Sequence, residues 1–165
     1  MVIPLALVLV AKPRTAWLPW GIAVSLGGEL VRIWAAGHLT KGTRLTTSGP
    51  FARVRHPLYL GSLLIATGYC FMSGLWFAFP VVWLLYILFF GSAMFHEEKV
   101  LELAFGEDYR IYKARIPRLL PGLTSFPSPA RQFSCRQAVI NREPRVALGV
   151  LVILGLFLGR WVLLR

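Results

Sequence analysis

Apolar residues in this chain run in long stretches, and the charged residues gather in the gaps between them. Met1 to Ala11 is apolar but shorter than the roughly 20 residues a helix needs to cross a bilayer. It ends at Lys12-Pro13-Arg14. Thr15 to Gly37 is long enough to span, with Trp17, Trp20 and Trp34 placed as interfacial anchors. Leu58 to Met72 and Leu75 to Phe95 flank Ser73-Gly74, a tight reversal, and read as a helical hairpin. Pro57 suits the first position of the third helix, where its missing N–H costs nothing. Glu97 to Arg118 is charged and amphipathic, with Gly106 as a helix-ending position. Pro117, Pro121, Pro127 and Pro129 predict an irregular loop, and Arg145 to Leu164 is a fifth apolar segment. The fold class expected from this pattern is all-α, a multi-span helical bundle with about five membrane segments.

Composition supports a bilayer as the destination for these stretches. Hydrophobic residues make up 56% of the 165 and the mean hydropathy is +0.63, well outside soluble usage. The start of the chain carries no charged n-region and no small-residue cleavage site, so it reads as a membrane segment. Cys70 falls in an apolar segment and Cys135 in a basic loop. That offers no disulfide framework and no metal site, and no metal is expected.

A net charge of +11 would suggest nucleic acid in a soluble chain. No stacking-aromatic module accompanies the basic residues here, and a nucleic-acid partner is not expected. Their positions report topology instead. The gap 38–56 holds four Lys and Arg and the stretch 97–145 holds nine, thirteen of the eighteen in the chain. By the positive-inside rule both gaps face the cytoplasm, where their polar residues can meet.

Two places in those gaps carry candidate chemistry. Arg53-Val54-Arg55-His56-Pro57-Leu58-Tyr59-Leu60-Gly61 sets a basic cluster and an imidazole on the lip of a helix that enters the membrane. A helix amino end favours a carboxylate or phosphate. Gly61 and Gly68 share a helix face and admit a close neighbour, whether a second helix or a flat ligand. A lipid-headgroup anchor above an ordinary packing face is the plainer account of the same residues. The second place is Glu97-Glu98, which follows His96 at the end of a membrane helix, where the macrodipole prefers cations. A carboxylate pair there suits a ligand with hydroxyls and a positive centre; a solvated surface helix through Glu102 is the alternative. The hairpin should bring His56 and Glu97 side by side. Glu29 and Arg32, three apart inside the second segment, can pair along one face. Tyr109 and Tyr112 with Phe105 form an aromatic strip, either a cavity cap or an interfacial belt.

Together, Ser48-Gly49-Pro50-Phe51, Arg55-His56-Pro57-Leu58-Tyr59-Leu60-Gly61, Glu97-Glu98, Phe105-Gly106-Glu107-Asp108-Tyr109 and Pro117-Arg118-Leu119-Leu120-Pro121 resemble the isoprenylcysteine carboxyl methyltransferase and phospholipid methyltransferase superfamily. The resemblance covers residues 27–121 of what it implies is a single membrane methyltransferase domain, 1–165, with an extra span at 145–164. It implies an S-adenosylmethionine pocket open to the cytosol, held by His56, Pro57, Tyr59 and Glu97, lined also by Leu45 and Thr46, with Glu98 and Gly61 as neighbours. Two positions depart from the isoprenylcysteine enzymes. Ala93 stands where those enzymes place an Arg for the substrate carboxylate, and Phe51 replaces a common Tyr, so a prenylcysteine substrate is not expected.

The expected acceptor is a lipophilic molecule that enters from the bilayer, with no protein partner. An amine or hydroxyl acceptor would have to lose a proton, and His56 and Glu98 are the candidate bases. Two rival readings stand beside this one. One is an NADPH-dependent membrane sterol-type reductase, with Arg53 and Arg55 available to a phosphate. The other is a non-catalytic membrane adaptor, which would need neither the His-Pro-x-Tyr lip nor the Glu pair.

Overall fold

The computed structural model describes residues 2–40, 44–128 and 132–165. Met1 of the first apolar segment, Lys41 of the first basic gap and Pro129 of the proline-rich stretch lie outside them. Every regular element among the described residues is helical: α1 (Val2–Val10), α2 (Leu18–His38), α3 (Pro57–Ser73), α4 (Ala78–Arg115), α5 (Cys135–Ile140) and α6 (Glu143–Leu163), with a 3-10 turn at Gly49–Ala52. The chain divides into two compact units, one of residues 1–30, 61–87 and 144–165, the other of residues 31–60 and 88–143.

In the first unit Val8, Leu18, Ile65, Tyr69, Met72, Val150, Ile153, Leu154 and Phe157 form a continuous core. Small residues let α2 and α3 approach closely. A methyl group added at Gly28 would stand 2.6 Å from the Gly61 carbonyl, and one at Gly68 would collide with the Ser25 hydroxyl. The face shared by Gly61 and Gly68 is thus a helix-packing face. Gly74 takes φ +69, as a residue without Cβ can, and turns the chain from α3 into α4. Across that hairpin the Trp83 indole donates to Thr67 Oγ1 at 3.1 Å.

The outer faces of these helices remain apolar. Val81, Leu84 and Ile87 on α4 and Leu148, Leu151, Val152 and Leu156 on α6 are all exposed. Among the described residues α4 and α6 are long and apolar enough to cross a membrane, and α3 is apolar but shorter. A soluble protein buries such faces; a bilayer solvates them.

In the second unit α4 changes character. Its 38 residues are more than the roughly 20 that a membrane crossing requires. The later half carries the charges. Gly106, at φ 53 and ψ −121, breaks the helical backbone there, in the place its sequence position suggests. The proline-rich stretch does not stay irregular to its end: α5 forms at Cys135–Ile140, with Ser134 capping the Gln137 N–H. Asn141 donates to the carbonyls of Ala36 at 2.8 Å and Leu39 at 2.9 Å, and Ser134 N–H donates to Gly37 O at 3.1 Å. These bonds satisfy the carbonyls that any helix leaves open at its carboxyl end, here α2. Cys70 is buried and Cys135 exposed, and both are free thiols.

Candidate functional site

The lip residues before α3 are hydrogen-bonded through their backbone to the segment that follows α4. Arg55 N–H donates to Pro117 O at 2.9 Å, His56 N–H to Arg118 O at 3.1 Å, and Gly122 N–H to Arg53 O at 2.8 Å. From the other side, Tyr112 donates its hydroxyl to Phe51 O at 2.7 Å. The short helical turn at Gly49–Ala52 is thereby tied to α4. Tyr109, Tyr112 and Ile116 are buried together, with Leu45, Leu101, Phe105 and Phe126 packed around them. The aromatic strip is therefore a packed floor beneath the lip, and Leu45 belongs to it. Thr46 sits nearby and accepts the Thr40 N–H at 3.3 Å through Oγ1.

Against this floor the two adjacent glutamates part company. Glu98 is 1% exposed and accepts three hydrogen bonds beside a further ion pair. Its Oε1 accepts from His56 Nε2 at 3.0 Å and Arg118 Nε at 2.9 Å, and Oε2 accepts from Arg118 Nη2 at 2.8 Å. Arg55 Nη1 stands 2.8 Å from Oε1. Burial alone would raise the Glu98 pKa, but hydrogen bonds from Arg118 and His56 and the charges of Arg55 and Arg118 override it and hold the carboxyl at about 2. A carboxylate so paired is an anchor rather than a proton acceptor.

Glu97 points the other way, its side chain 52% exposed. Tyr59 donates its hydroxyl to Glu97 Oε1 at 2.8 Å, and His56 Nδ1 lies 3.7 Å from Oε2. The rings of His56 and Tyr59 meet edge-on at 5.6 Å, and those of Tyr59 and Phe90 at 5.5 Å. His56 itself is buried. Desolvation lowers its pKa below 6.5, outweighing the opposing hydrogen bond and charges of Glu98 and Glu97, so the ring is neutral at pH 7. A neutral ring that donates from Nε2 to Glu98 keeps its lone pair on Nδ1, on the Glu97 side.

His56, Tyr59, Glu97 and Glu98 thus converge in one unit, with Pro57 beginning α3 between the first two. Gly61 belongs to the first unit, with its carbonyl against Gly28. Arg118 takes a part in the site that no pattern in the sequence assigned to it. Its charge counted toward topology, and only the fold of the segment after α4 carries it to Glu98. Arg32, expected to pair with Glu29, directs Nε to Glu143 Oε1 at 2.8 Å and Nη2 to Oε2 at 3.2 Å. Among the described residues no cluster of three or more His, Cys, Asp or Glu is placed to hold a metal ion.

Known proteins resemble part of the chain. Over 97 residues it is 32% identical to the cobalt-zinc-cadmium resistance protein CzcN of Cupriavidus metallidurans, an alignment covering 58% of this chain and 44% of that protein. Over 86 residues it is 29% identical to the Delta(14)-sterol reductase ERG24 of Saccharomyces cerevisiae, covering 49% of this chain and 19% of the reductase. The chain therefore spans less than half the length of either relative. No solved structure matches it significantly. The phospholipid methyltransferase family model matches residues 20–108, which take in His56, Pro57, Tyr59, Glu97 and Glu98. By that match, over more than half of its length, the chain belongs to the phospholipid methyltransferase family.

Proposed function

We propose that this protein is an integral membrane methyltransferase that uses S-adenosylmethionine and methylates a lipophilic acceptor. The observation that carries the reading is the contrast between Glu97 and Glu98. One carboxylate is locked inside by Arg55, Arg118 and His56, and its neighbour is held at the surface by Tyr59. Such a construction presents one positioned, accessible anion beside a neutral imidazole and an aromatic pair.

That set of groups fits the cofactor. Glu97 accepts the Tyr59 hydroxyl on Oε1, and a carboxylate has about four acceptor positions, enough to take ribose hydroxyls or an ammonium as well. The amino end of α3 favours a carboxylate, and the rings of Tyr59 and Phe90 suit a sulfonium. His56, Pro57, Tyr59 and Glu97 would hold it, with Leu45 and Thr46 at the edge. When bound, the cofactor supplies an electrophilic methyl group. The protein's own part is to align the acceptor and exclude water. With an amine or hydroxyl acceptor, His56 Nδ1 is the group able to take the proton, since Glu98 holds the ring by its other nitrogen.

The membrane reading rests on the exposed apolar faces of α4 and α6, with α2, α3 and α1 as further membrane segments, about five in all. The basic gaps then face the cytoplasm and the acceptor enters from the bilayer. The reductase reading is favoured by the sterol reductase among the relatives. It is weakened because Arg55, one of the two arginines available to a phosphate, is already paired with the Glu98 carboxylate.

Thermal stability of the detergent-purified protein with S-adenosylhomocysteine, S-adenosylmethionine or NADPH tests both readings. A ligand at about 100 times its Kd adds roughly 2.7 kcal/mol. Stabilisation by the adenosyl ligands, and not by NADPH, is expected. Stabilisation by NADPH alone would establish the reductase reading instead, and no response to any of them would favour an adaptor.

A further inference from the structure

The segment beyond the family match ends in a buried acid that reaches back to the site. Glu143, the first residue of α6, is 3% exposed and receives a two-pronged fork from Arg32 of α2. The remaining arm of the same guanidinium, Nη1, donates to Leu58 O at 3.2 Å. Leu58 lies in the first turn of α3, between Pro57 and Tyr59. All three residues belong to the second unit.

A carbonyl in a first helical turn ordinarily has a single helical donor, and an Arg arm on its second lone pair fixes the direction of that turn. The guanidinium is planar, so a fork closed on Glu143 also settles where Nη1 points. The position of α5 and Asn141 at the carboxyl end of α2 sets Glu143 in its place from the same side.

We infer that Arg32 and Glu143 are positioning residues for the Tyr59–Glu97 pair: they brace the first turn of α3 through the Leu58 carbonyl, and the segment 134–143 serves the site by supplying Glu143. The inference rests on the methyltransferase reading only for what the site binds; the brace itself is a property of the ligand-free protein.

Removing one partner leaves a buried charge and costs the fold, whereas replacing both with apolar side chains of similar volume is commonly tolerated. The test is therefore the double variant Arg32→Met, Glu143→Leu, alongside Arg32→Lys, studied as the full chain in detergent. Amide exchange is measured without ligand, and S-adenosylhomocysteine affinity is measured by titration. The double variant should keep a Tm near that of the wild type while amides of residues 58–62 exchange about tenfold faster, with residues 96–102 unchanged. Affinity should fall by about tenfold, and Arg32→Lys should recover only part of it, since an ammonium has no planar fork. Unchanged exchange at 58–62 in a folded double variant overturns the inference. Faster exchange in a protein whose wild type binds no adenosyl ligand leaves the brace standing and overturns the methyltransferase reading alone.

Discussion

His56 and Glu98 stand 42 residues apart in the chain and meet at 3.0 Å, Nε2 to Oε1, with both side chains buried. The bond joins the lip of α3 to the charged half of α4. Because Glu98 also takes Arg55 and Arg118, three segments are fastened at this one carboxylate.

Glu98→Gln should therefore act on stability first. It would leave the Arg55 and Arg118 guanidiniums facing a neutral amide, a loss of about 3 kcal/mol, at the low end for broken buried pairs because Arg118 is partly exposed. Chemical denaturation of the detergent-solubilised variant would show it. An unchanged midpoint would mean that the cluster holds nothing.

The two titrating partners make the site acid-sensitive. His56 is lowered from 6.5 in the fold, so its contribution is full above pH 6.5 and is lost as the pH falls below it. Glu98 is lowered from 4.5 to about 2, so its contribution is full above 4.5 and declines as the pH falls toward 2. A Tm that falls in two stages with acid is expected. Glu98→Gln should abolish the lower stage.

Glu97→Gln should leave the fold alone and remove ligand response. Its side chain is half exposed, and surface changes of this kind usually stay within about 0.5 kcal/mol. The apo Tm should match wild type while stabilisation by S-adenosylhomocysteine disappears. Retained stabilisation would place the cofactor elsewhere.

Tyr59→Phe tests the hydroxyl separately from the ring. The ring contacts with His56 and Phe90 survive, and the 2.8 Å bond to Glu97 is lost. A loss of about 1 kcal/mol in ligand affinity is expected, read by titration.

Gly28→Ala probes packing rather than chemistry. The new methyl group would stand 2.6 Å from Gly61 O and 2.9 Å from Ile65 N, both backbone atoms that cannot step aside. Overpacking of this kind costs about 1–3 kcal/mol, visible as a lowered Tm. Gly27→Ala, one residue earlier and facing open space, should not lower it and serves as the control.

Local rules made much of this protein legible in its sequence. The apolar runs become α1, α2, α3, α4 and α6 because a helix satisfies its backbone hydrogen bonds within its own segment, whatever surrounds it. Pro57, Gly74 and Gly106 mark a start, a reversal and a break because each has a backbone constraint that depends on no distant residue. The meeting of the His-Pro-x-Tyr lip with the Glu pair followed from the hairpin, which is short-range topology.

What the tertiary structure decided is which partner each charge takes. Glu97 and Glu98 are neighbours in sequence, and successive helical side chains point about 100° apart, so one must turn inward. Which one does so depends on where Arg118 arrives, 20 residues later and after a break at Gly106. Arg32 can reach Glu29 by local spacing, yet its fork closes on Glu143, 111 residues away. Hydropathy sets the segments because burial of apolar surface is non-directional and sums along the chain. Charge pairing is directional and falls off over a few ångströms, so it depends on the folded arrangement of the chain.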